Sequence, residues 1–281
     1  MKVALEVWSS DYGQIESTCL LAESLGLDAF YYGESPNDLN LDCWTTLAAL
    51  AHATERIRLG PVISNILPTY RSQVLLAKQA ATVAAISKGR VDFRTGVGAS
   101  ATFGRPWWEP MGVEYPDYDQ RLSDLRQTLE ALPRLWDKKS DLYRIPITIA
   151  ATGARAMNLA AVHADVWETS FCTPSEFAKR RQQFAAVAGH RDVVHSLEID
   201  GFVSRSPQGL DRVLELLRTE RGESEDIDAV FKRALVGVPA DAVVRLGELE
   251  AAGVDQVVVA LHDPHDPDAI EAVAETAALL R

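Results

Sequence analysis

Residues 56–98 read RIRLGPVISNILPTYRSQVLLAKQAATVAAISKGRVDFRTGVG, and the alternation within them sets the fold class. The apolar run at 56–64 predicts a strand, and the segment 72–87 has the spacing of an amphipathic helix. A turn, KGR, then leads into a second apolar run at 91–98. The stretch therefore reads as two parallel strands joined by a crossover helix.

The same alternation continues in both directions along the chain. Strands are predicted at residues 3–7, 27–34, 56–64, 91–98, 147–150, 165–170, 195–204 and 255–261. Helices are predicted at residues 15–26, 43–54, 72–87, 120–136, 154–163, 175–188, 209–233, 241–252 and 268–280. Eight such units in fewer than 300 residues favour an α/β fold of the (β/α)₈ TIM-barrel type, as a single domain over residues 1–281. An open doubly wound sheet is the alternative.

Composition narrows the class of protein. The chain has 281 residues, of which 47% are hydrophobic and 24% charged, as expected of a globular protein. The formal charge of −12, from 28 Lys and Arg against 40 Asp and Glu, argues against a nucleic-acid partner. Three scattered cysteines, Cys19, Cys43 and Cys172, form no disulfide or metal pattern and predict a reducing cytoplasm. Glu6 interrupts the first apolar run, so neither a signal peptide nor a membrane anchor is predicted.

Few chemical motifs follow the predicted strands. The sequence contains no HExxH, no GxSxG and no Walker loop. Among the histidines only His262 and His265 have metal-like spacing, and they lie in a Pro/Asp-rich run, HDPHDPD, that favours a solvated turn. We therefore predict no metal site.

Residues 95–101, TGVGASA, match a dinucleotide-binding pattern in an unsuitable context. They follow the fourth strand rather than the first, and Pro106 and Pro110 predict that 99–118 is a loop rather than a helix. The glycines of this run are instead predicted to let a flat group approach the backbone, with a tight turn as the alternative.

The run ATGARAMNLA at 151–160 is the best candidate for an anion site. A strand ends there, a small loop with Thr152 and Gly153 follows, and a helix begins. Its first backbone N–H groups and the helix dipole favour a phosphate, with Arg155 as a supplement. Capping of the helix by Thr152 is the alternative.

Two further groups of side chains stand at the predicted barrel mouth. Trp107 and Trp108 would form an apolar lid or a substrate wall, or else pack against a neighbouring subunit. Glu34 ends the second strand beside Tyr31 and Tyr32. That carboxylate would contact a cofactor ring, move a proton or cap the next loop.

Six segments together resemble the bacterial luciferase-like superfamily, which includes flavin-dependent monooxygenases and oxidoreductases that use the deazaflavin coenzyme F420. The segments are LAESLGLDAFYYGES, DCWTTLAALAHATERIRLGPVIS, LLAKQAATVAAISKGRVDFRTGVGAS, YDQRLSDLRQTLEALPRLW, ATGARAMNLAAVHADVWETS and VGVPADAVVRLGELEAAGVDQVVVAL. The resemblance covers the barrel from end to end and is most specific at the third strand, the SKGR-to-GVG run and the late VGVP run.

The resemblance implies a reduced flavin or deazaflavin held loosely at the C-terminal mouth, with a non-proline cis peptide behind the ring at Val62 and Ile63. The cofactor residues it implies are Val62, Ile63, Ser64, Gly96, Val97, Gly98, Ala99, Thr152, Gly153, Ala154 and Ser170. The substrate wall would comprise Trp8, Tyr31, Trp107 and Trp108, and Glu34 would be the catalytic proton shuttle.

Three departures from the family pattern concern the proton donor and the lid. Many deazaflavin members carry an acid and then a histidine after the second strand, where this chain has Glu34 and Ser35. The glutamate that often follows the fourth-strand glycines is replaced by Ala101 or Thr102. The stretch 137–146 is also shorter than the usual insertion.

The leading hypothesis is an F420-dependent oxidoreductase that moves a hydride to or from a small organic substrate. The alternative is an FMN-dependent monooxygenase that receives reduced flavin from a partner reductase. A third hypothesis, of a different functional class, is a non-catalytic ligand-binding or partner subunit. The net charge disfavours the acidic tail of F420 unless Arg71, Arg105 and Arg155 gather near the mouth.

The resemblance also implies a homodimer packed through the early helices. Trp44, Leu47 and Leu50 are the candidates for that interface, with packing in the core of the barrel as the alternative.

Overall fold

The structure, a computed structural model, describes residues 1–37, 39–136, 144–221 and 226–281. Its strands are β1 (Lys2–Val7), β2 (Ala29–Gly33), β3 (Arg58–Val62), β4 (Phe93–Gly96), β5 (Ile147–Ala150), β6 (Val166–Ser170), β7 (Val194–Val203), β8 (Leu235–Gly237) and β9 (Gln256–Leu261). The helices are α1 (Tyr12–Ser24), α2 (Cys43–Ala53), α3 (Gln73–Ile86), α4 (Ala101–Trp108), α5 (Tyr118–Trp136), α6 (Ala154–His163), α7 (Pro174–Ala188), α8 (Pro207–Arg221), α9 (Ile227–Phe231), α10 (Pro239–Ala251) and α11 (Pro267–Leu280).

The described strands form a parallel barrel in the order β3-β2-β1-β9-β7-β6-β5-β4. Two isolated parallel bridges, Leu59 to Val91 and Ser64 to Thr95, join β3 to β4. Helices lie between successive strands, so the prediction of a (β/α)₈ barrel is confirmed and the open doubly wound sheet is excluded.

Local signals place several helix ends where the sequence indicates them. The Asp42 carboxylate accepts the backbone N–H of Thr45 at 2.9 Å and begins α2. Thr173 and Glu176 form a reciprocal capping box at α7. Gly26 follows α1 in the left-handed region at φ 78°, which a residue without Cβ adopts freely.

Two predictions of local structure are wrong. Within the predicted loop 99–118, residues 101–108 form α4, which accommodates Pro106 because a proline withholds only its own N–H from the helix. The single helical stretch predicted at 209–233 is divided into α8 and α9, and the new N-cap Asp226 accepts the N–H of Ala229. The strand β8, which pairs with the end of β7, was not predicted because three residues carry no periodic pattern.

The main core lies between the barrel and the surrounding helices. Trp44 is 2% exposed, and Leu47 and Leu50 are fully buried in this core. The Trp44 ring stacks on Phe93, and its Nε1 donates to Ser64 Oγ at 2.8 Å. Of the two alternatives for these three α2 residues, packing in the core of the barrel is the one observed, because α2 turns them toward the barrel wall.

The inside of the barrel holds small and polar side chains where barrels of this fold commonly hold branched aliphatic ones. Ala4, Tyr31 and Val258 form a separate buried cluster there. The guanidinium of Arg94 lies 3.8 Å from the centroid of the Tyr31 ring, and the Tyr31 hydroxyl donates to Asp92 Oδ2 at 3.0 Å. The placement of Tyr31 in the substrate wall is thus wrong, because its ring lies inside the barrel, below the mouth.

Among the described residues, no helix combines the length and the apolar character needed to cross a lipid bilayer.

Candidate active site

A cavity of about 740 Å³ opens at the C-terminal ends of the barrel strands. The predicted site residues that line it are Trp8, Glu34, Val62, Ile63, Ser64, Gly96, Val97, Gly98, Ala99, Trp107, Trp108, Thr152, Gly153 and Ser170. Tyr31 and Ala154 do not line it. The structure thus brings residues from the C-terminal ends of six strands, β1 to β6, and from α4 to one cavity.

One wall of this cavity is apolar and tightly packed. The Val62–Ile63 peptide bond is cis, as the family resemblance implies. A Cβ added at Gly96 would lie 3.1 Å from Ile63 Cδ1, and one at Gly98 would lie 2.6 Å from the Tyr115 hydroxyl. These two glycines therefore make room for neighbouring protein groups at the wall of the cavity.

The two adjacent tryptophans of α4 have different surroundings. Trp107 is 43% exposed at the mouth, and its ring meets Trp8 edge-on with centroids 6.3 Å apart. Trp108 is buried, and its ring contacts Tyr70 at a centroid distance of 5.0 Å. Trp108 therefore anchors α4, whereas Trp107 and the exposed Phe103 extend the apolar rim over the cavity.

Glu34 forms a buried ion pair at the end of β2. Its Oε2 accepts Arg71 Nη2 at 2.8 Å and also the backbone N–H of Asn65. This arrangement ties the end of β2 to the loop after β3, which identifies Glu34 as a positioning residue for that loop. The second oxygen, Oε1, is buried and has no hydrogen-bond partner in the described part of the chain. The role of Glu34 as the catalytic proton shuttle stays a prediction.

The three arginines that could form a basic patch at the mouth of the cavity are each paired with an acid. Arg71 binds Glu34, Arg105 lies 3.5 Å from Glu109, and Arg155 lies 2.5 Å from Asp119. They do not form a free basic patch at the cavity.

The floor of the cavity is acidic, and sequence reasoning did not find it. Glu6 of β1, Glu168 of β6 and Glu198 of β7 line the cavity from below. Arg94 of β4 lies fully buried beneath them and donates Nη2 to Glu168 Oε1 at 2.7 Å. Ser196 Oγ donates to the other oxygen of Glu168 at 2.7 Å. The available signal was a glutamate within each of these three buried strands.

Glu6 has one bound oxygen and one free oxygen. Trp8 Nε1 donates to its Oε1 at 2.7 Å, while Oε2 is buried with no partner among the described residues. Burial raises the pKa of the Glu6 carboxyl to about 7, although the Trp8 hydrogen bond and the charge of Arg94 act in the opposite direction. Burial, followed by the negative charges of Glu6 and Glu168, also raises the pKa of Glu198 well above its ordinary value. Glu6 can therefore both hold and release a proton near neutral pH.

The start of α6 offers backbone donors to the same cavity. Gly153 is the N-cap residue, and no side chain among the described residues caps the helix. Thr152 therefore does not form the capping bond considered as the alternative. The free N–H groups and the helix dipole suit a phosphate group at this point.

No cluster of three or more His, Cys, Asp or Glu side chains within the described residues is arranged to hold a metal ion. The Nδ1 atom of His265 instead lies 2.7 Å from Thr18 Oγ1.

A family model described as luciferase-like monooxygenase matches residues 5–256. The chain belongs to this family. A 5,10-methylenetetrahydromethanopterin reductase from Archaeoglobus fulgidus is 26% identical, with 95% of each chain covered.

Solved structures of luciferase-like enzymes share the fold. An F420-dependent secondary alcohol dehydrogenase in complex with an F420-acetone adduct matches with a TM-score of 0.80 at 16% identity, over 100% of this chain and 99% of that chain. The oxygenating constituent of 3,6-diketocamphane monooxygenase from Pseudomonas putida, in complex with FMN, matches with a TM-score of 0.78 at 15% identity, over 98% and 96% of the two chains. The luciferase-like resemblance is thus confirmed, and the family relatives include oxidoreductases and monooxygenases that use F420 or FMN.

Proposed function

We propose that this protein is an F420-dependent oxidoreductase that transfers a hydride between the deazaflavin and a small organic substrate. The observation that carries the proposal is the place of Glu6 on the floor of the cavity, where Trp8 binds one carboxyl oxygen, the other has no partner among the described residues, and burial raises the pKa of the carboxyl to about 7. A hydride added to a C=O or C=N bond leaves a basic atom that must gain a proton, and an acid with a pKa near the working pH supplies it best. Glu6 takes the place of the histidine that many deazaflavin members carry after the second strand.

The residues present fit a flat ring that carries a phosphate. Val62, Ile63 and Val97 supply an apolar face, while Thr152 and Gly153 lie at the uncapped start of α6. When bound, the deazaflavin supplies or accepts the hydride. FMN has the same two features, so the cavity supports either cofactor.

The chain's own groups prepare the site in three ways. Trp8 holds Glu6 through Oε1, and Oε2 keeps no hydrogen-bond partner among the described residues. Trp107 and Phe103 cover the mouth with apolar surface and exclude water from the reacting atoms. Glu34 and Arg71 fix the loop that carries Ser64 and Asn65.

The alternative function, an FMN-dependent monooxygenase with a partner reductase, is supported by the FMN-bound structural neighbour. Titration of the purified protein with F420, with oxidised FMN and anaerobically with reduced FMN separates the two. We expect F420 to bind, and reduced F420 to be oxidised by a substrate without oxygen uptake. Binding of reduced FMN alone, with oxygen uptake, would establish the monooxygenase, and binding of neither cofactor would leave the non-catalytic reading. The homodimer and the cytoplasmic location stay predictions.

The phosphate subsite can be tested by Gly153→Asp. A carboxylate at the N-cap occupies the backbone donors that a phosphate would use, and it repels that phosphate. We expect the dissociation constant of F420, or of FMN if that is the cofactor, to rise by about tenfold or more, while the melting temperature stays the same or rises. The Cβ of residue 153 would lie 3.8 Å from the Tyr118 hydroxyl, so the side chain fits.

Val238→Asp is the matched control for this substitution. Val238 is also an N-cap residue without a side-chain cap, at the start of α10, and it does not line the cavity. The Val238→Asp substitution should leave the affinity for the cofactor unchanged. If the wild type and Gly153→Asp bind the cofactor with equal affinity, the phosphate does not bind at the start of α6.

A further inference from the structure

The charges that line the cavity do not balance. Its acidic lining residues are Glu6, Glu34, Asp124, Glu168 and Glu198, whereas Arg121 is the one basic side chain among the described residues that line it. Two buried arginines behind the wall, Arg71 and Arg94, pair with Glu34 and Glu168. In the described part of the chain, Glu6 and Glu198 therefore have no paired cation of their own.

Backbone carbonyls take up three of the five N–H groups of Arg121. Its Nε donates to the carbonyl of Val97, Nη1 to that of Pro116 and Nη2 to that of Ala99, at 3.0, 2.7 and 3.0 Å. The side chain is buried and its ring neighbour is Tyr115, 4.3 Å away. Arg121 therefore fixes the loop after β4.

Glu6 and Glu198 come together through the strand register. Ala260 of β9 pairs with Glu6 on one side and with Asp200 on the other. Glu198 lies two residues before Asp200 on β7 and so points into the same interior. The groups that face Glu6 are Trp8, Arg94, Glu168, Glu198 and Asp200, and those that face Glu198 are Glu6, Glu168, Arg94 and Asp200.

We propose that this acidic floor selects substrates that carry a basic nitrogen, as an amine, an imine or a nitrogen heterocycle, placed against Glu6 and Glu198. The floor disfavours carboxylates and phosphate esters, because they would meet two acids and, among the described lining residues, a single arginine that is bound to three backbone carbonyls. The inference deepens the proposed function and rests on it for its chemical step.

That step balances for an imine. The carbon gains a C–H bond from the hydride of the reduced deazaflavin, and the nitrogen gains an N–H bond from the Glu6 carboxyl as the C=N π bond breaks. The substrate is reduced by two electrons, the deazaflavin is oxidised by two, and Glu6 is left as a carboxylate that regains a proton from solvent. An iminium ion brings its positive charge to the same acids.

Three naphthalene probes of equal shape test the selection by calorimetric titration at pH 8. They are 2-naphthylmethylamine, 2-naphthylmethanol and 2-naphthoate, which are cationic, neutral and anionic. We expect the amine to bind about tenfold or more tightly than the alcohol, and the carboxylate most weakly. The preference for the amine should weaken as the pH falls below about 7, because protonation of Glu6 removes its charge. A carboxylate that binds as tightly as the amine would overturn the proposal.

Conservative variants assign the selection to the floor. Glu6→Gln and Glu198→Gln should each reduce the ratio of amine to alcohol affinity while the alcohol affinity changes little. Glu130→Gln, an exposed acid on α5 outside the lining of this cavity, is the control and should preserve the ratio. A preference that survives in both floor variants contradicts the proposal, and thermal melting verifies that each variant is folded.

The fluorescence titration with F420 keeps the two proposals apart. If F420 fails to bind but the amine preference depends on Glu6 and Glu198, the proposed function fails and the selection by the floor stands. If F420 binds but the protein does not prefer the amine, the proposed oxidoreductase function is supported and the proposed substrate class is wrong.

Discussion

Glu6→Gln is expected to lower kcat for reduction of a bicyclic imine such as 3,4-dihydroisoquinoline by about 10²–10⁴-fold, with little change in cofactor affinity. Glutamine keeps a carbonyl oxygen for Trp8 Nε1 but has no proton to transfer. The rate is followed by the oxidation of reduced F420 under anaerobic conditions. A variant that retains the wild-type kcat would show that Glu6 is not the acid.

The pH dependence of the same reaction gives a second readout. In the reducing direction Glu6 acts as the protonated acid, so kcat/KM should fall as the pH rises through about 7. This limb should disappear in Glu6→Gln. If the variant lost activity but its kcat/KM still fell as the pH rose through about 7, the loss would come from a structural effect of the substitution.

Stability should move in the opposite direction to activity. The pKa of Glu6 is raised in the folded state from 4.5 to about 7, so its contribution to stability is fully present below the lower value and is lost as the pH rises through the higher one. Glutamine has no charge to bury. We therefore expect Glu6→Gln to melt higher than the wild type at pH 8 and close to it at pH 5.

Arg94→Met is expected to lower the free energy of unfolding by about 3–5 kcal/mol. The Arg94 and Glu168 side chains are 0% and 1% exposed and form an ion pair at 2.7 Å inside the barrel. Without Arg94, the buried Glu168 carboxylate keeps the hydroxyl of Ser196 but loses its counter-charge. Urea denaturation at pH 7 measures the loss.

Two further variants show whether the loss arises from the unpaired charge. The double variant Arg94→Met with Glu168→Gln removes both charges and should recover a large part of the stability. Arg155→Met breaks an exposed ion pair with Asp119 and should leave the unfolding transition unchanged. If the double variant is no more stable than Arg94→Met, lost packing against Tyr31 explains the loss instead.

The barrel and much of its mouth are predictable from local patterns. A helix over Ala154–His163 follows from its apolar spacing, and Asp42 begins α2 because its carboxylate reaches a free N–H three residues later. Residues directly after strands meet at one end of any parallel barrel, so Glu34, Gly98 and Thr152 converge on one cavity. These features depend on contacts within a few residues, or on topology alone.

Other features require the closed barrel. Parallel strands are buried on both faces and read as continuous apolar runs, so a sequence does not reveal which of their side chains point to the barrel axis. Register and closure direct Glu6, Glu168 and Glu198 inward to a common floor and place Tyr31 below the mouth. A carboxyl acquires a pKa near 7 only when distant strands remove it from water and bring other charges beside it. The alternation of strands and helices was therefore present in the chain, whereas the acidic floor depends on charges that folding brings together from separate strands.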